Sequence, residues 1–170
     1  MTTTTEVRTT TQVFRVFIKA TPQAIWDAIT SPEWSAKYGY PGHNEYDLRP
    51  GGAYRAVATP EMVSMGVPEV MVDGEVVEAE PPHKLVQTWR FLFTPELTAE
   101  GFTKVTWEIA AEEGGLSRLT VTHELEGAPQ TAAQVFTDTP LGEGGGGWSW
   151  VLSDLKTLLE TGTSLESDQC

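Results

Sequence analysis

Cysteine is almost absent: the chain of 170 residues has one, Cys170, its last residue, so no disulfide can close within it and no thiolate metal cluster can form. Basic residues are scarce too, 11 Lys and Arg against 24 Asp and Glu, giving a net charge of −13. That sign repels phosphate and argues against nucleic acid and an anionic membrane as partners, so neither is expected. Long hydrophobic runs are lacking, since no stretch approaches the roughly 18 apolar residues of a membrane span. The start, Met1-Thr2-Thr3-Thr4-Thr5-Glu6, has neither the basic opening nor the apolar run of a signal peptide, so a cytoplasmic protein is expected. The three histidines, His43, His83 and His123, have no carboxylate at ligand spacing, and neither a metal site nor a cofactor is expected. Ser149 and Ser153 carry no attached histidine motif, so no catalytic residue is assigned.

What is present is strong patterning. The length suits one domain that buries roughly 70% of its unfolded surface. Residues 1–11 read as a disordered threonine-rich arm, 12–161 as the domain, and 162–170 as a disordered polar tail. From Gln12 to Lys19 the chain alternates, Phe14, Val16 and Ile18 against Arg15 and Lys19, the period of a half-buried strand. Thr21-Pro22 and Ser31-Pro32 each pair a cap with a proline at the first helical position, predicting two short helices. Strand signals follow at about 43–48, 53–58, 69–79, 84–93, 102–111 and 116–125, separated by turn residues such as Arg49-Pro50-Gly51-Gly52. Close succession favours an antiparallel meander, because parallel neighbours need long crossovers. Residues Val151, Leu152, Leu155, Leu158 and Leu159 then recur at helical spacing, with Trp150 and Asp154 on the opposite side.

Several motifs resemble the START-like superfamily, and within it the family of the C-terminal domain of heat-shock-protein ATPase activators. They are Ala20-Thr21-Pro22 with Ile25-Trp26, Ser31-Pro32-Glu33, Asp47-Leu48-Arg49-Pro50-Gly51-Gly52, Gly74-Glu75-Val76 through Pro81-Pro82, Thr88-Trp89, Leu119 to His123, and Gly147-Trp148 before the leucine-spaced helix. The resemblance implies an α+β helix-grip fold: a strand, two short helices and six strands forming a curved antiparallel sheet around a long C-terminal helix, with an internal cavity. It further implies an apolar pocket for a small molecule. Residues Thr59 to Pro68 lengthen a connection expected to be shorter, and Gly127 to Gly147 interrupts the approach to the last helix.

Strand parity puts Trp89, Phe91 and Phe93 on one face, Val105, Trp107 and Ile109 on the face of the next strand, and Leu119, Val121, His123 and Leu125 on that of the last. The plain reading of each is core. As a set they fit the wall of a site for a large, flat, weakly polar ligand. The expected ligand-binding residues are Trp34, Tyr38, Trp89, Phe91, Phe93, Trp107, His123, Phe136, Trp148 and Leu152. His123 is either a neutral buried imidazole satisfied by a carbonyl or an acid–base group. Four glycines, Gly144, Gly145, Gly146 and Gly147, lack the lysine-threonine ending of a phosphate loop and are read as the hinge of a lid formed by a loosely structured 127–143.

The leading expectation is a non-enzymatic protein that binds or sequesters a hydrophobic, aromatic or polyketide-like molecule. In its narrower form this is antibiotic self-resistance, with the glycine Cα–H bonds as hydrogen donors to a radical-forming compound. The alternatives are a polyketide cyclase or hydrolase working through His123, and a partner of a chaperone ATPase.

Overall fold

Four Thr-Pro or Ser-Pro pairs set the local structure of the first hundred residues. The computed structural model describes residues 11–136 and 146–165. Strand β1 (Thr11–Ile18) ends before helix α1 (Pro22–Thr30), where Thr21 accepts a hydrogen bond from Ala24 N. Ser31 caps α2 (Pro32–Ser35) in the same way. Two further pairs, Thr59-Pro60 and Thr94-Pro95, open α3 (Pro60–Ser64) and α4 (Pro95–Ala99). In each, a side-chain oxygen takes an orphan N–H of the first turn while proline occupies a position that needs none. Thr59 to Pro68 is thus more than a lengthened connection, because it carries a capped helical turn.

The remaining strands are β2 (His43–Tyr46), β3 (Ala53–Val57), β4 (Val70–Glu80), β5 (Lys84–Phe91), β6 (Thr103–Ala111) and β7 (Ser117–Glu124). They form one antiparallel sheet in the order β1-β7-β6-β5-β4-β3-β2. The chain starts at one edge, crosses through α1 and α2 to the other, and meanders back until β7 lies beside β1. Register shifts at Ala56/Val57 and Val76/Glu78 mark bulges, which bend a sheet. Helix α5 (Pro129–Val135) follows β7, and the long helix α6 (Gly147–Thr161) comes last. Its Trp148, Leu152, Leu155 and Leu158 join Ile25, Trp26 and Ile29 of α1 and the inward strand residues in the core. This is the helix-grip arrangement.

Two local expectations are corrected. Asp154, placed by helical spacing on the polar side of α6, is 2% exposed. Its oxygens accept from Gly39 N at 2.8 Å and Leu165 N at 2.6 Å, contacts that compensate a buried carboxylate. The stretch 127–143 is not uniformly loose, since α5 buries Thr131 and Val135. Ala128 offers α5 no capping oxygen. The Glu100 carboxylate does so from a distance, accepting from Gln130 N (2.8 Å), Thr131 N (2.8 Å) and Thr131 Oγ1 (2.7 Å). Burial alone would raise its pKa, but these three bonds hold it below the usual carboxylate value. Residues 137–143 of that stretch, together with Gly144 and Gly145, lie outside the described residues, as do residues 1–10 and 166–170 of the arm and tail.

Candidate functional site

Alternation along β5 sends Leu85, Gln87, Trp89 and Phe91 to the concave side, and the sheet register sets them beside Val105 and Trp107 of β6 and Val121 and His123 of β7. The first turn of α6 lays Trp148 on this surface. Its ring stands edge-on to Trp107 at 5.3 Å and lies 6.2 Å from Trp89. Trp89 meets Phe91 at 4.5 Å, and Phe91 meets Phe93 at 5.4 Å. Trp148 and Trp89 are buried, Phe91 is half-buried, and Phe93 is 42% exposed because β5 has ended at Phe91. An aromatic ladder therefore runs from the interior to the surface.

His123, 0% exposed, holds the inner end. Trp148 Nε1 lies 3.1 Å from His123 Nδ1, and an indole N–H can only donate, so Nδ1 is the acceptor. The proton of the neutral ring is then on Nε2, which donates to Thr103 Oγ1 at 2.8 Å; Thr103 in turn donates to the Trp89 carbonyl at 2.9 Å. Burial lowers the His123 pKa to about 3. Both ring nitrogens are engaged in hydrogen bonds, the arrangement of a satisfied neutral imidazole. The satisfying partners are a hydroxyl and an indole rather than a carbonyl.

The other expected residues fall into two sets. Leu152 packs in the core beneath Trp148, and Tyr38 is buried with its hydroxyl donating to Ala28 O at 2.9 Å. Trp34 and Phe136 stand apart from the ladder. Trp34 lies on the surface under the Lys37 ammonium, 4.4 Å from its ring, and Phe136 is 63% exposed beside Phe14. Of the glycine run, Gly146 (φ 99°) caps α6 and Gly147 (φ 53°) is buried against the Val135 carbonyl of α5. The described end of the run is a packed joint.

Sequence reasoning missed Gln87, Tyr46 and Tyr54. Gln87 Oε1 accepts from Tyr46 Oη at 2.6 Å and Trp107 Nε1 at 3.0 Å, and the Tyr46 and Tyr54 rings lie 4.7 Å apart. Burial pushes the phenols of Tyr38, Tyr46 and Tyr54 up, so all three stay neutral. The signal for Gln87 was present: its parity with Leu85 and Trp89 puts a polar residue on an apolar face, the same observation that singled out His123.

A recess of about 280 Å³, which takes in Thr88, Phe102, Lys104, Glu124 and the Thr103 that bonds His123, is polar and contains none of the expected ligand residues. Among the described residues no group of three or more His, Cys, Asp or Glu comes together to hold a metal, and no helix is long and apolar enough to cross a membrane.

The fold is shared with proteins of known structure. DynU16, a protein in the dynemicin biosynthetic locus, is 24% identical over 92% of this chain and 49% of its own, with a TM-score of 0.65. CalU16 from Micromonospora echinospora is 21% identical over 88% of this chain and 65% of its own, with a TM-score of 0.59 in its solution structure. The chain thus spans about half of the length of the first and about two thirds of the second. The Aha1 dimer from Colwellia psychrerythraea is 17% identical over 89% of this chain and 97% of its own, with a TM-score of 0.60. No curated protein matches the sequence. Residues 19–160 match the family model described as Activator of Hsp90 ATPase homolog 1-like protein, and the chain belongs to that family.

Proposed function

We propose that the protein binds a hydrophobic aromatic small molecule on the concave face of the sheet, beside the start of α6. The observation that carries this reading is the ladder Trp148-Trp89-Phe91-Phe93, whose exposure rises from the buried end to the surface. A core alone has no need to continue its aromatic stacking out to a half-exposed rim. A flat ligand replaces ring contact with ring contact and takes Phe91 and Phe93 as its way in. The rings touch one another, so the ligand displaces side chains at the open end, while Gly146 and Gly147 hold the start of α6 against α5.

The ligand is uncharged or cationic in this account, because the chain carries −13 and the buried phenols stay neutral. A narrower form is sequestration of a polyketide-like toxin by its producer. Its support is likeness of fold to DynU16, a protein in the dynemicin biosynthetic locus.

The reading is tested by adding a panel of polycyclic aromatic compounds and following melting temperature and tryptophan emission. At a hundredfold excess over Kd, binding adds about 2.7 kcal/mol, a rise of roughly 5–10 °C for a domain of this size. Phe91→Ala removes the half-buried rung and is expected to weaken binding about ten-fold. A panel that moves neither Tm nor emission contradicts the reading.

A further inference from the structure

Among the described residues, one buried side-chain donor on the concave face has no hydrogen-bond partner. Gln87 is 1% exposed, and its Nε2 has no partner. The amide orientation is fixed by chemistry: Trp107 Nε1 can only donate, so the atom facing it must be the carbonyl oxygen, and that oxygen also receives the Tyr46 hydroxyl. With Oε1 engaged twice, the amide cannot turn over to relieve Nε2. The other unpartnered buried side-chain atom among the described residues, Gln12 Oε1, is an acceptor at the β1 edge, where its own amide nitrogen donates to Ala132 O.

The position of Gln87 relates it to the ladder. Register pairs Gln87 with Val105 and Val105 with His123, so one straight row crosses the concave face from Gln87 to the imidazole that holds Trp148. Two inter-strand steps make that row about 10 Å long, the length of about three fused six-membered rings. Trp89 follows Gln87 on the same face of β5, and Trp107 is bonded to it from β6.

We propose that Gln87 Nε2 is the directional anchor of the aromatic-ligand site and that the ligand is a fused-ring ketone or quinone whose carbonyl oxygen accepts from it. This rests on the aromatic-ligand reading above and gives it a chemical class. The unpartnered group is a donor, so the ligand atom opposite it is an acceptor. A carboxylate is disfavoured: a buried carboxylate, Asp154 of α6, is already present, and its charge adds to burial and Tyr54 in raising the Tyr38 phenol. A neutral carbonyl supplies the missing acceptor at no charge-burial cost, and the hydrocarbon body lies along Trp89 toward Trp148. A pure hydrocarbon leaves the amide unsatisfied, which is the source of discrimination.

The test uses the full chain with 9-fluorenone and fluorene, a tricyclic pair that differs in one carbonyl, and titrates both by quenching of tryptophan emission. The wild type is expected to bind the ketone about ten-fold more tightly than the hydrocarbon. Gln87→Met should erase that preference by weakening the ketone alone. Because this variant strands the Tyr46 hydroxyl as well as the Trp107 indole N–H, the double variant Gln87→Met/Tyr46→Phe, which removes the first of these, is measured beside it, while Tyr46→Phe alone keeps Nε2 and should keep the preference. In infrared difference spectra with a 13C-labelled carbonyl, the ketone stretch should lie lower in the wild type than in either Gln87 variant. Equal affinity of the wild type for the two compounds, or a preference that survives both Gln87 variants, overturns the anchor and leaves aromatic binding standing. Failure of both compounds to bind any variant overturns the aromatic-ligand reading and the anchor together.

Discussion

Alanine at Gly147 is expected to destabilise the protein by about 3 kcal/mol or more, a fall in Tm of roughly 6–12 °C. Two costs add at this residue. Its φ of 53° lies in the left-handed region, where a side chain costs about 1–2 kcal/mol. A Cβ there would also run into the backbone carbonyl of Val135, which closes α5 and has no rotamer with which to yield. The helices would have to part, and Trp148, the next residue, would lose its place over His123. Gly162 is the control. Its φ is 86°, yet a Cβ there meets nothing within 4 Å, so Gly162→Ala isolates the conformational cost at about 1–2 kcal/mol. Chemical denaturation of the two variants checks the difference. Equal losses would mean that Gly147 is a free joint rather than a packed one.

Acidification is expected to remove on the order of 5 kcal/mol of stability through His123 alone. Burial holds its folded pKa near 3, against 6.5 for an ordinary histidine. Between those values the unfolded chain takes up a proton that the folded protein refuses. The contribution is therefore complete above about pH 6.5, falls by about 1.4 kcal/mol per pH unit as pH drops, and levels off below about pH 3. The Glu45, Glu100 and Glu160 carboxylates, held below their usual value, lose stability in the same direction but only below about pH 4.5. The window from pH 6.5 to 5 thus isolates the histidine. His123→Asn keeps an acceptor near Nδ1 for Trp148 and a donor for Thr103 but cannot titrate. Subtracting its denaturation profile from the wild-type profile should leave the full slope in that window. Parallel profiles would show that the imidazole already protonates in the folded protein.

The parts of the fold that depend on neighbours in sequence were readable there. Period-two alternation placed Trp89, Phe91, Trp107, Val121 and His123 on one face because a strand sends successive side chains to opposite sides whatever it pairs with. The Thr-Pro and Ser-Pro pairs before α1 and α2 were read, while the same pair at Thr59 and Thr94 was passed over between strand signals, although the same capping chemistry acts there. Other features depend on distant residues. Asp154 is buried because Gly39, 115 residues away, donates to it. Helix α5 starts at Pro129 because Glu100, about 30 residues earlier, supplies the cap that Ala128 lacks. Phe93 is exposed at the rim because β5 ends at Phe91 and the chain turns into α4.

The candidate site was readable to the same degree. The aromatic wall follows from parity, but its chemistry follows from contacts that parity does not fix: the Trp148-His123-Thr103-Trp89 chain and the amide of Gln87 held by Tyr46 and Trp107. These give both nitrogens of His123 a hydrogen-bond partner and leave the buried Nε2 of Gln87 without one.

The most direct test of the aromatic-ligand account is to follow the indole N–H resonances of the six tryptophans by nuclear magnetic resonance while a polycyclic aromatic ketone is added. The account predicts that the signals of Trp89, Trp107 and Trp148 move together and saturate at one affinity, while that of Trp34, on the surface beneath Lys37, stays in place. Movement of Trp34 alone, or of no indole signal at all, would contradict it.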